Sequence, residues 1–444
     1  MNKSLRLYAL LGGLVLLSAC SSMPEWLGGE KEKSKFEGAR IDVLTDNSLI
    51  KTDESTASMK VGIPTVKSED SWQQSGGTIS GMTGNLQISG FSNNDSVRIG
   101  DGNGWEQPLY PSPIIADSII FAMDAKGYIT AHSLENIDKI IWKNKDNVAK
   151  DEPDLLGGGL AFDKGKIFAT SGRGKIIALD AASGNLLWDK AISIPLRAAP
   201  KVADGKLYAV SVDNQIFAFD VETGNQLWQH RGINENAGFL ASISPSLSEH
   251  FVIAPYSSGE IHALDGSSGQ SIWNDTLIVP NRTAASGTFS GIGGNPIIKD
   301  DVVYVGGSGG IFTAISLPNG RRIWEQDIAT LNTPWVADDF VYVLSSDNNL
   351  VCLNRADGRI KWTKQIPSYD NPEKHKNPYS WRGPIMANGE LLIAGKHGKM
   401  LIISAQDGSD IKTVDIPENI TDAPIIVAGK LYVLTANAKL HVIY

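Results

Sequence analysis

Short apolar runs alternate with turn-forming pairs along the chain from position 113 to its end. Clear examples lie at positions 207–210 and 216–219, and apolar runs of about four to eight residues bounded by turn signals predict strands. The intervening Asp-Gly, Asp-Asn and Ser-Gly pairs tolerate the positive φ angles of tight hairpins. No segment sustains an apolar period of 3.6 residues. The pattern therefore predicts an all-β chain with very little helix.

The predicted strands recur in a repeat that has a fixed core. A tryptophan follows a proline by 28 positions in four units, which are Pro200/Trp228, Pro245/Trp273, Pro296/Trp324 and Pro334/Trp362. Leu160 stands in the proline's place 28 positions before Trp188, and Pro113 precedes Trp142 by 29. The links between units vary from 10 to 23 residues. A constant core with variable links is typical of radially arranged β-sheets, because the cores pack on one another while the links lie on a rim.

The last two units depart from this pattern. The seventh begins at Pro384 and has Lys412 where the others have tryptophan. The eighth begins at Pro424 and would need its tryptophan at position 452, beyond Tyr444. Its final strand must therefore come from elsewhere.

Trp72 stands ahead of the first unit with no repeat before it. We expect its strand to pair with residues 424–444 and complete the eighth sheet, which would remove the open edges of an incomplete array. The prediction is an eight-bladed β-propeller of four-stranded antiparallel blades over residues 71–444, with about 47 residues in each blade.

The repeated tryptophans have a structural interpretation. A large flat side chain that recurs at one position of the repeat is expected to fill the gap between adjacent blades and to bury about 200 Å². The residues assigned this role are Trp72, Trp142, Trp188, Trp228, Trp273, Trp324 and Trp362.

The amino terminus has the features of an export signal. Lys3 and Arg6 precede an apolar stretch at positions 7–17, which is shorter than the roughly 20 residues that a spanning helix needs. It ends in Leu-Ser-Ala before Cys20, which resembles the cleavage box of bacterial lipoproteins. We predict a signal peptide at 1–19, a lipidated Cys20 and a flexible polar tether at 20–70.

Composition argues against several classes of function. The 40 basic and 49 acidic residues give a net charge of −9, whereas nucleic-acid binders usually carry a basic surface. Beyond Cys20 the chain has only Cys352, in an apolar strand where it is expected to be buried. The seven histidines lack metal-ligand spacing, and no nucleophile motif is present. We therefore predict no catalytic residues, no metal and no cofactor.

The repeat consensus carries a family resemblance. The pattern Asp-Gly-x-Leu-Tyr, then Asp, then Thr-Gly-x-x-Leu-Trp, best seen at 203–228, resembles the repeat of pyrroloquinoline-quinone (PQQ)-type propellers. Together with Cys20 and the tether, the whole chain resembles the BamB family of propeller lipoproteins, which belong to the outer-membrane β-barrel assembly (BAM) machinery. The resemblance implies a non-catalytic scaffold on the periplasmic side of the outer membrane. Its implied partners are the POTRA domains of a BamA-type barrel protein and, as a further possibility, unfolded outer membrane proteins.

The resemblance also implies a docking loop. The family contact uses an apolar-x-Leu-Arg stretch, which matches Ile194, Leu196 and Arg197 here. The acidic pair that the family carries before the following blade is absent from 240–245, so part of the partner footprint differs. The links at 234–240 and 381–383 are secondary candidates for partner contact.

Two alternatives to the assembly scaffold stay open. One is a PQQ-dependent quinoprotein dehydrogenase, which would need calcium ligands, a catalytic aspartate and often a disulfide of adjacent cysteines. The other is a different periplasmic propeller scaffold, for example an organiser of another envelope complex.

Overall fold

Strands of two to seven residues account for nearly all regular structure in the computed structural model of the chain. The structure describes residues 50–56, 58–102, 111–144, 157–196, 198–234, 243–278 and 291–444. Residues Leu49–Tyr444 form one unit. The predicted signal peptide and Cys20 lie outside the described residues. The only helical element in the described part is a 3-10 turn at Glu54–Thr56, and no described helix has the length and apolar character to cross a membrane.

The strands follow in chain order: β1 (Val66–Lys67), β2 (Asn85–Leu86), β3 (Asn94–Arg98), β4 (Ile114–Ala116), β5 (Ile119–Met123), β6 (Ile129–Ser133), β7 (Ile140–Lys143), β8 (Gly158–Asp163), β9 (Lys166–Ser171), β10 (Lys175–Asp180), β11 (Leu186–Ala191), β12 (Lys201–Ala203), β13 (Lys206–Val210), β14 (Gln215–Asp220), β15 (Gln226–Arg231), β16 (Ser246–Leu247), β17 (Phe251–Pro255), β18 (Glu260–Asp265), β19 (Ser271–Thr276), β20 (Ile297–Lys299), β21 (Val302–Gly306), β22 (Phe312–Ser316), β23 (Arg322–Gln326), β24 (Trp335–Ala337), β25 (Phe340–Leu344), β26 (Asn349–Asn354), β27 (Ile360–Gln365), β28 (Tyr369–Asn371), β29 (Lys376–Pro378), β30 (Trp381–Ala387), β31 (Glu390–Gly395), β32 (Lys399–Ser404), β33 (Asp410–Asp415), β34 (Ile425–Val427), β35 (Lys430–Leu434) and β36 (Lys439–Ile443).

Consecutive groups of four strands form antiparallel sheets, which we number in chain order: sheet 1 (β4–β7), sheet 2 (β8–β11), sheet 3 (β12–β15), sheet 4 (β16–β19), sheet 5 (β20–β23), sheet 6 (β24–β27), sheet 7 (β30–β33) and sheet 8 (β34–β36 with β3). Strands β1 and β2 extend sheet 7, and β28 with β29 forms a separate hairpin. The prediction of an all-β chain built from four-stranded antiparallel sheets is confirmed, and this arrangement is consistent with a β-propeller.

The repeat consensus explains each sheet. In sheet 3, Asp204 and Gly205 have φ angles of 49° and 73°, which suit the two-residue turn between β12 and β13. Strands β13 and β14 are almost wholly buried, whereas β15 alternates and buries Trp228. Ala218 faces Trp228 in the register of β14 and β15, immediately before a bulge. The small alanine leaves room for the indole.

The hydrophobic core lies between the sheets rather than at one centre. Separate buried clusters join sheets 1 and 2, 2 and 3, 3 and 4, 4 and 5, and 5 and 6. A larger cluster combines residues of sheets 6, 7, 8 and 1. Each sheet therefore buries both of its faces against neighbours, as the apolar composition of the inner strands requires.

The strand that completes sheet 8 differs from the prediction. Strand β3 pairs antiparallel with β36, with Ser96 opposite His441. Trp72 instead forms an isolated bridge with Ile115 of sheet 1 and is 5% exposed. Assigning Trp72 to the closing strand was wrong. The reason is that β3 lies at an outer edge, where all but one of its five residues are exposed, so it needs no apolar residues to mark it.

Part of the predicted tether at 20–70 packs on the fold. Ile50 is buried in the core between sheets 5 and 6. Thr56 Oγ1 donates to the carbonyl of Ile360 at 2.9 Å, and Lys361 Nζ donates to the carbonyl of Thr56 at 2.7 Å. Residues 50–56 therefore pack on the outer strand of sheet 6, and the expectation of a flexible segment was wrong for them.

Candidate functional site

The repeated tryptophans connect each sheet to the next. Trp273 Nε1 of sheet 4 donates to the carbonyl of Leu317 in sheet 5 at 2.6 Å. The same bond recurs at distances of 2.8–3.3 Å, with the pairs Trp142/Ala181, Trp188/Val221, Trp228/Gly266, Trp324/Arg355 and Trp362/Ala405. Each of these six indole N–H groups therefore has an acceptor, and the six side chains hold the fold together rather than form an open site.

The turn glycine of the next sheet lies directly beneath each indole. A Cβ atom on Gly224 would lie 2.7 Å from Cε3 of Trp188, and one on Gly320 would lie 2.7 Å from Cγ of Trp273. Both glycines also have φ angles near 70°. The Thr-Gly and Asn-Gly turns thus serve packing between sheets as well as hairpin geometry.

The seventh sheet replaces this contact with a different one. Lys412 stands opposite Ile402, at the register position that tryptophan has elsewhere. Its Nζ atom lies 3.9 Å from the centre of the Phe91 ring. A cation–π contact with the segment that leads into β3 therefore takes the place of the indole.

The predicted docking loop is partly buried. Leu196 is fully buried in the cluster between sheets 2 and 3, and its amide donates to the carbonyl of Ser171 at 3.2 Å. Ile194 is half-buried, Pro195 is exposed, and Arg197 lies outside the described residues. The side chain of Leu196, one of the three predicted contact residues, completes the core and fixes the loop against both sheets.

The two links that are secondary candidates for partner contact differ in what the structure describes. The link at 234–240 lies outside the described residues apart from the exposed Asn234. Trp381 is 3% exposed and donates its Nε1–H to the carbonyl of Pro367 at 2.7 Å. Its ring meets Tyr379 edge-on, so Trp381 has a packing role, and the adjacent Arg382 borders a cavity.

That cavity has a volume of about 520 Å³ and is bordered by residues that lie at the starts of the first strands of the sheets. Pro113, Leu160, Ala199, Asn295 and Thr333 are examples. We call it the central cavity. Sequence reasoning did not predict it, because no single repeat contains more than a small part of its wall.

The segment at 69–89 also lines the central cavity. We call residues 69–89 the belt, because their bonds visit the sheets in numerical order. Trp72 exchanges two backbone bonds with Ile115 of sheet 1, and the amide of Phe162 in sheet 2 donates to the carbonyl of Gln73 at 2.8 Å. The side-chain amide of Gln74 makes bonds of 2.8 and 2.9 Å with the carbonyl and amide of Val202 in sheet 3.

The belt continues around the remaining sheets. Sheets 4 and 5 donate the amides of Leu247 and Ile298 to belt carbonyls, sheet 6 accepts the amide of Gly84, sheet 7 donates the amide of Asn388, and sheet 8 accepts the amide of Ser89. Near its end the belt comes back to the residues that precede it, because β2 pairs in parallel with β1. The belt has no periodic sequence pattern, because its bonded residues meet one sheet after another.

Lys201 holds the belt against sheet 3. Its side chain is 1% exposed, and Nζ donates to the carbonyl of Ser75 at 2.6 Å and to that of Thr78. Burial lowers the pKa of Lys201 to about 7. Both bonds of this buried ammonium go to backbone carbonyls rather than to a carboxylate.

The charges beside the cavity are few. Asp422 accepts the hydroxyl of Ser112 at 2.8 Å, which links sheets 8 and 1. Burial and the nearby Arg382 lower the pKa of Lys396. Arg382 and Asp422 are the only ionisable residues among the described cavity lining.

This donor set does not fit a calcium–quinone centre. Calcium takes six to eight oxygen ligands, several of them from carboxylates. The described lining offers the single carboxylate of Asp422, and that group is already bonded to Ser112. No group of three or more His, Cys, Asp or Glu residues in the described chain has the arrangement of a metal site. Burial raises the pKa of the Cys352 thiol, which keeps it protonated and unreactive.

The four-stranded repeats and the interlocking tryptophans place the protein in the class of PQQ-repeat propellers. The model of the family described as outer membrane protein assembly factor BamB matches residues 110–364, more than half of the chain. The chain therefore belongs to the BamB family.

Individual relatives agree with this assignment. The outer membrane protein assembly factor BamB of Escherichia coli is 31% identical over 241 residues, which cover 53% of this chain and 60% of the relative. The protein of the same name from Yersinia pestis is 21% identical over 352 residues, covering 78% of this chain and 87% of the relative. An uncharacterized protein of Rickettsia conorii is 26% identical over 227 residues, 50% of this chain. The chain thus spans 54% and 60% of the lengths of the Rickettsia and E. coli relatives.

Solved structures with the same fold include a BamB and an enzyme. BamB from Moraxella catarrhalis has a TM-score of 0.66 at 19% identity and covers 78% of this chain and 98% of its own. The quinohemoprotein alcohol dehydrogenase of Comamonas testosteroni has a TM-score of 0.60 at 14% identity, covering 84% and 80%. These identities support the fold alone.

Proposed function

We propose that this protein is a non-catalytic scaffold of the BAM complex, held at the periplasmic face of the outer membrane by lipidated Cys20. The observation that carries the proposal is the match to the BamB family over residues 110–364, a region that includes sheets 1 to 6 and the docking loop. The donor set of the central cavity, which does not fit a calcium–quinone centre, favours the scaffold over the dehydrogenase.

The proposed architecture is a closed ring of eight blades. Three observations support closure. The hydrophobic cluster of sheets 6, 7 and 8 includes Ile115 and Ile120 of sheet 1. The Ser112–Asp422 bond joins sheets 1 and 8. The belt bonds to all eight sheets in order. A closed ring leaves only its rims and the outer edges of its blades for partners.

The proposed docking surface is the loop at 194–197, which would contact the POTRA domains of a BamA-type barrel protein. The loop is anchored by the buried Leu196, and the amide of Val212 donates to the carbonyl of Pro195 at 3.0 Å. This anchoring would present Ile194 and Pro195 in a fixed conformation, and a preorganised loop loses less entropy on binding. Arginine and aliphatic side chains are suitable anchors for such a contact.

The test compares two double variants of the purified protein. Ile194→Ser with Arg197→Glu alters the loop without touching Leu196. The matched control, Ile272→Ser with Arg321→Glu, changes one exposed isoleucine and one exposed arginine elsewhere. The probe is the soluble POTRA region of the barrel protein from the same organism. We expect the loop variant to raise Kd at least tenfold and the control to leave it unchanged; equal affinity of both variants would remove the loop from the footprint.

Two further measurements separate the alternatives. If the protein is a quinoprotein, adding PQQ and Ca²⁺ will produce a stable quinone absorbance and dye reduction with an alcohol. If it organises another envelope complex, proteins other than the barrel protein will dominate the material that co-purifies from solubilised outer membrane. The scaffold proposal expects neither result.

A further inference from the structure

The belt has a role that neither the repeat nor the docking loop explains. It spans 21 residues, from 69 to 89, and makes at least one hydrogen bond to every one of the eight sheets. Its partners are residues of the first strands, or directly beside them, such as Phe162 in β8, Ile298 in β20 and Asn388 after β30. These are the edges of the sheets that face the central cavity and that the repeats themselves leave unpaired.

The bonds of the belt are mostly between backbone groups. Leu247 N to Ile79 O is 2.9 Å, Ile298 N to Ser80 O is 2.9 Å, and Gly84 N to Val336 O is 2.8 Å. Bonds of this kind are also what an extended peptide makes when it adds to an exposed edge. The belt therefore occupies, within the same chain, the inner positions at which a partner strand could add.

Apolar side chains fix the belt to the core. Trp72 and Met82 belong to the large cluster of sheets 6, 7, 8 and 1, and both also line the central cavity. Gln74, Ser75 and Gly76 line the cavity between them. The belt consequently forms a wall of the cavity built from at least five of its own residues.

Two polar clamps hold this wall at sheet 3. Lys201 Nζ bonds the carbonyls of Ser75 and Thr78, and Gln74 bonds both backbone groups of Val202. The backbone groups that they bind are buried or half-buried. Breaking the Lys201 clamp therefore leaves the Ser75 carbonyl without this bond and away from water, and breaking the Gln74 clamp does the same to the amide and carbonyl of Val202. Such an acceptor is costly, because it loses its bond to water without gaining another.

We propose that the belt is a strap that covers the inner edges of the sheets and opens as one unit, with Lys201 and Gln74 as its latch. While the belt is bound, no partner strand has access to the inner edges. Partners are thereby restricted to the rims and outer edges. The inference uses the ring order proposed above but is independent of the identity of the docking partner.

The test is hydrogen exchange of the full-length protein, read by peptide mass spectrometry. In the wild type the belt amides of Trp72, Met82, Gly84 and Ser89 should exchange at one common rate. Lys201→Met is one atom shorter and removes the donors, and Gln74→Met keeps the length of the side chain and removes both its donor and its acceptor. The control is Lys206→Met, on β13 of the same sheet.

Each latch variant should speed exchange of all belt amides by about tenfold or more, together with the partner amides of Leu247, Ile298 and Asn388. A factor of ten corresponds to about 1.4 kcal/mol, which lies within the cost of one unsatisfied buried acceptor. The amides between β9 and β10 should keep their rates, as should the belt in Lys206→Met.

Two outcomes would overturn the strap. One is acceleration confined to residues around 74–78, since that would make the contact local. The other is wild-type belt exchange at different rates in different segments. In either case an unchanged exchange rate of the amides between β9 and β10 shows that the sheets are intact. The proposed function is tested separately, by the affinity measurement with the POTRA region.

Discussion

Replacing Trp273 should measure how strongly one sheet is held to the next. The indole is 8% exposed and belongs to the cluster between sheets 4 and 5. Its Nε1–H donates to the carbonyl of Leu317 at 2.6 Å, and its ring lies over Gly320. Removing it therefore opens a cavity between two sheets and leaves an acceptor without its donor.

The magnitude follows from these contacts. Truncating a buried tryptophan to alanine costs about 3–5 kcal/mol. Trp273→Phe retains an aromatic ring over Gly320 but removes the donor to Leu317, so it should cost about 1–3 kcal/mol. The adjacent Ile272 is 46% exposed, and Ile272→Ala should change the free energy of unfolding by about 0.5 kcal/mol or less.

Equilibrium unfolding in urea, with far-UV circular dichroism as the probe, distinguishes these values. The transition midpoint should fall in the order Ile272→Ala, Trp273→Phe, Trp273→Ala, with little change in slope. If Trp273→Ala shifts the midpoint no more than Ile272→Ala does, the indole does not couple the sheets and the packing argument fails for the whole tryptophan array.

Two further predictions concern a turn and a buried charge. Gly224→Ala should destabilise the fold by more than about 1 kcal/mol, because φ is +68° and the new Cβ would lie 2.7 Å from Trp188. A melting temperature no lower than that of the variant Ser183→Ala, at an exposed position, would contradict this prediction. For Lys201 the folded pKa is about 7 against an ordinary value of 10.5. The unfolded state thus binds more protons between these values, and stability should rise with pH in that window by up to about 1.4 kcal/mol per pH unit. Lys201→Met should lose this rise, and an identical slope in both proteins would exclude Lys201 as its source.

The sequence by itself determined the local parts of this fold. Alternation of apolar residues with Asp-Gly and Thr-Gly pairs predicted the strands and hairpins, because both depend on neighbours within a few positions. The position of Trp228 and its counterparts predicted contacts between sheets, since a constant register repeats the same environment. The two cysteines, the spacing of the histidines and the lack of a nucleophile motif pointed away from the enzymes of this fold.

Only the tertiary structure decided the non-local parts. The choice of β3 over the segment of Trp72 to complete sheet 8 depends on pairing with β36, more than 340 positions away, and an exposed outer strand has no apolar pattern that would reveal it. Leu196 is buried because two sheets converge on its loop. The belt has no period, since the residues that bond to the sheets meet one sheet after another. These features arise from where distant segments meet, and a pattern read along the chain holds no record of that.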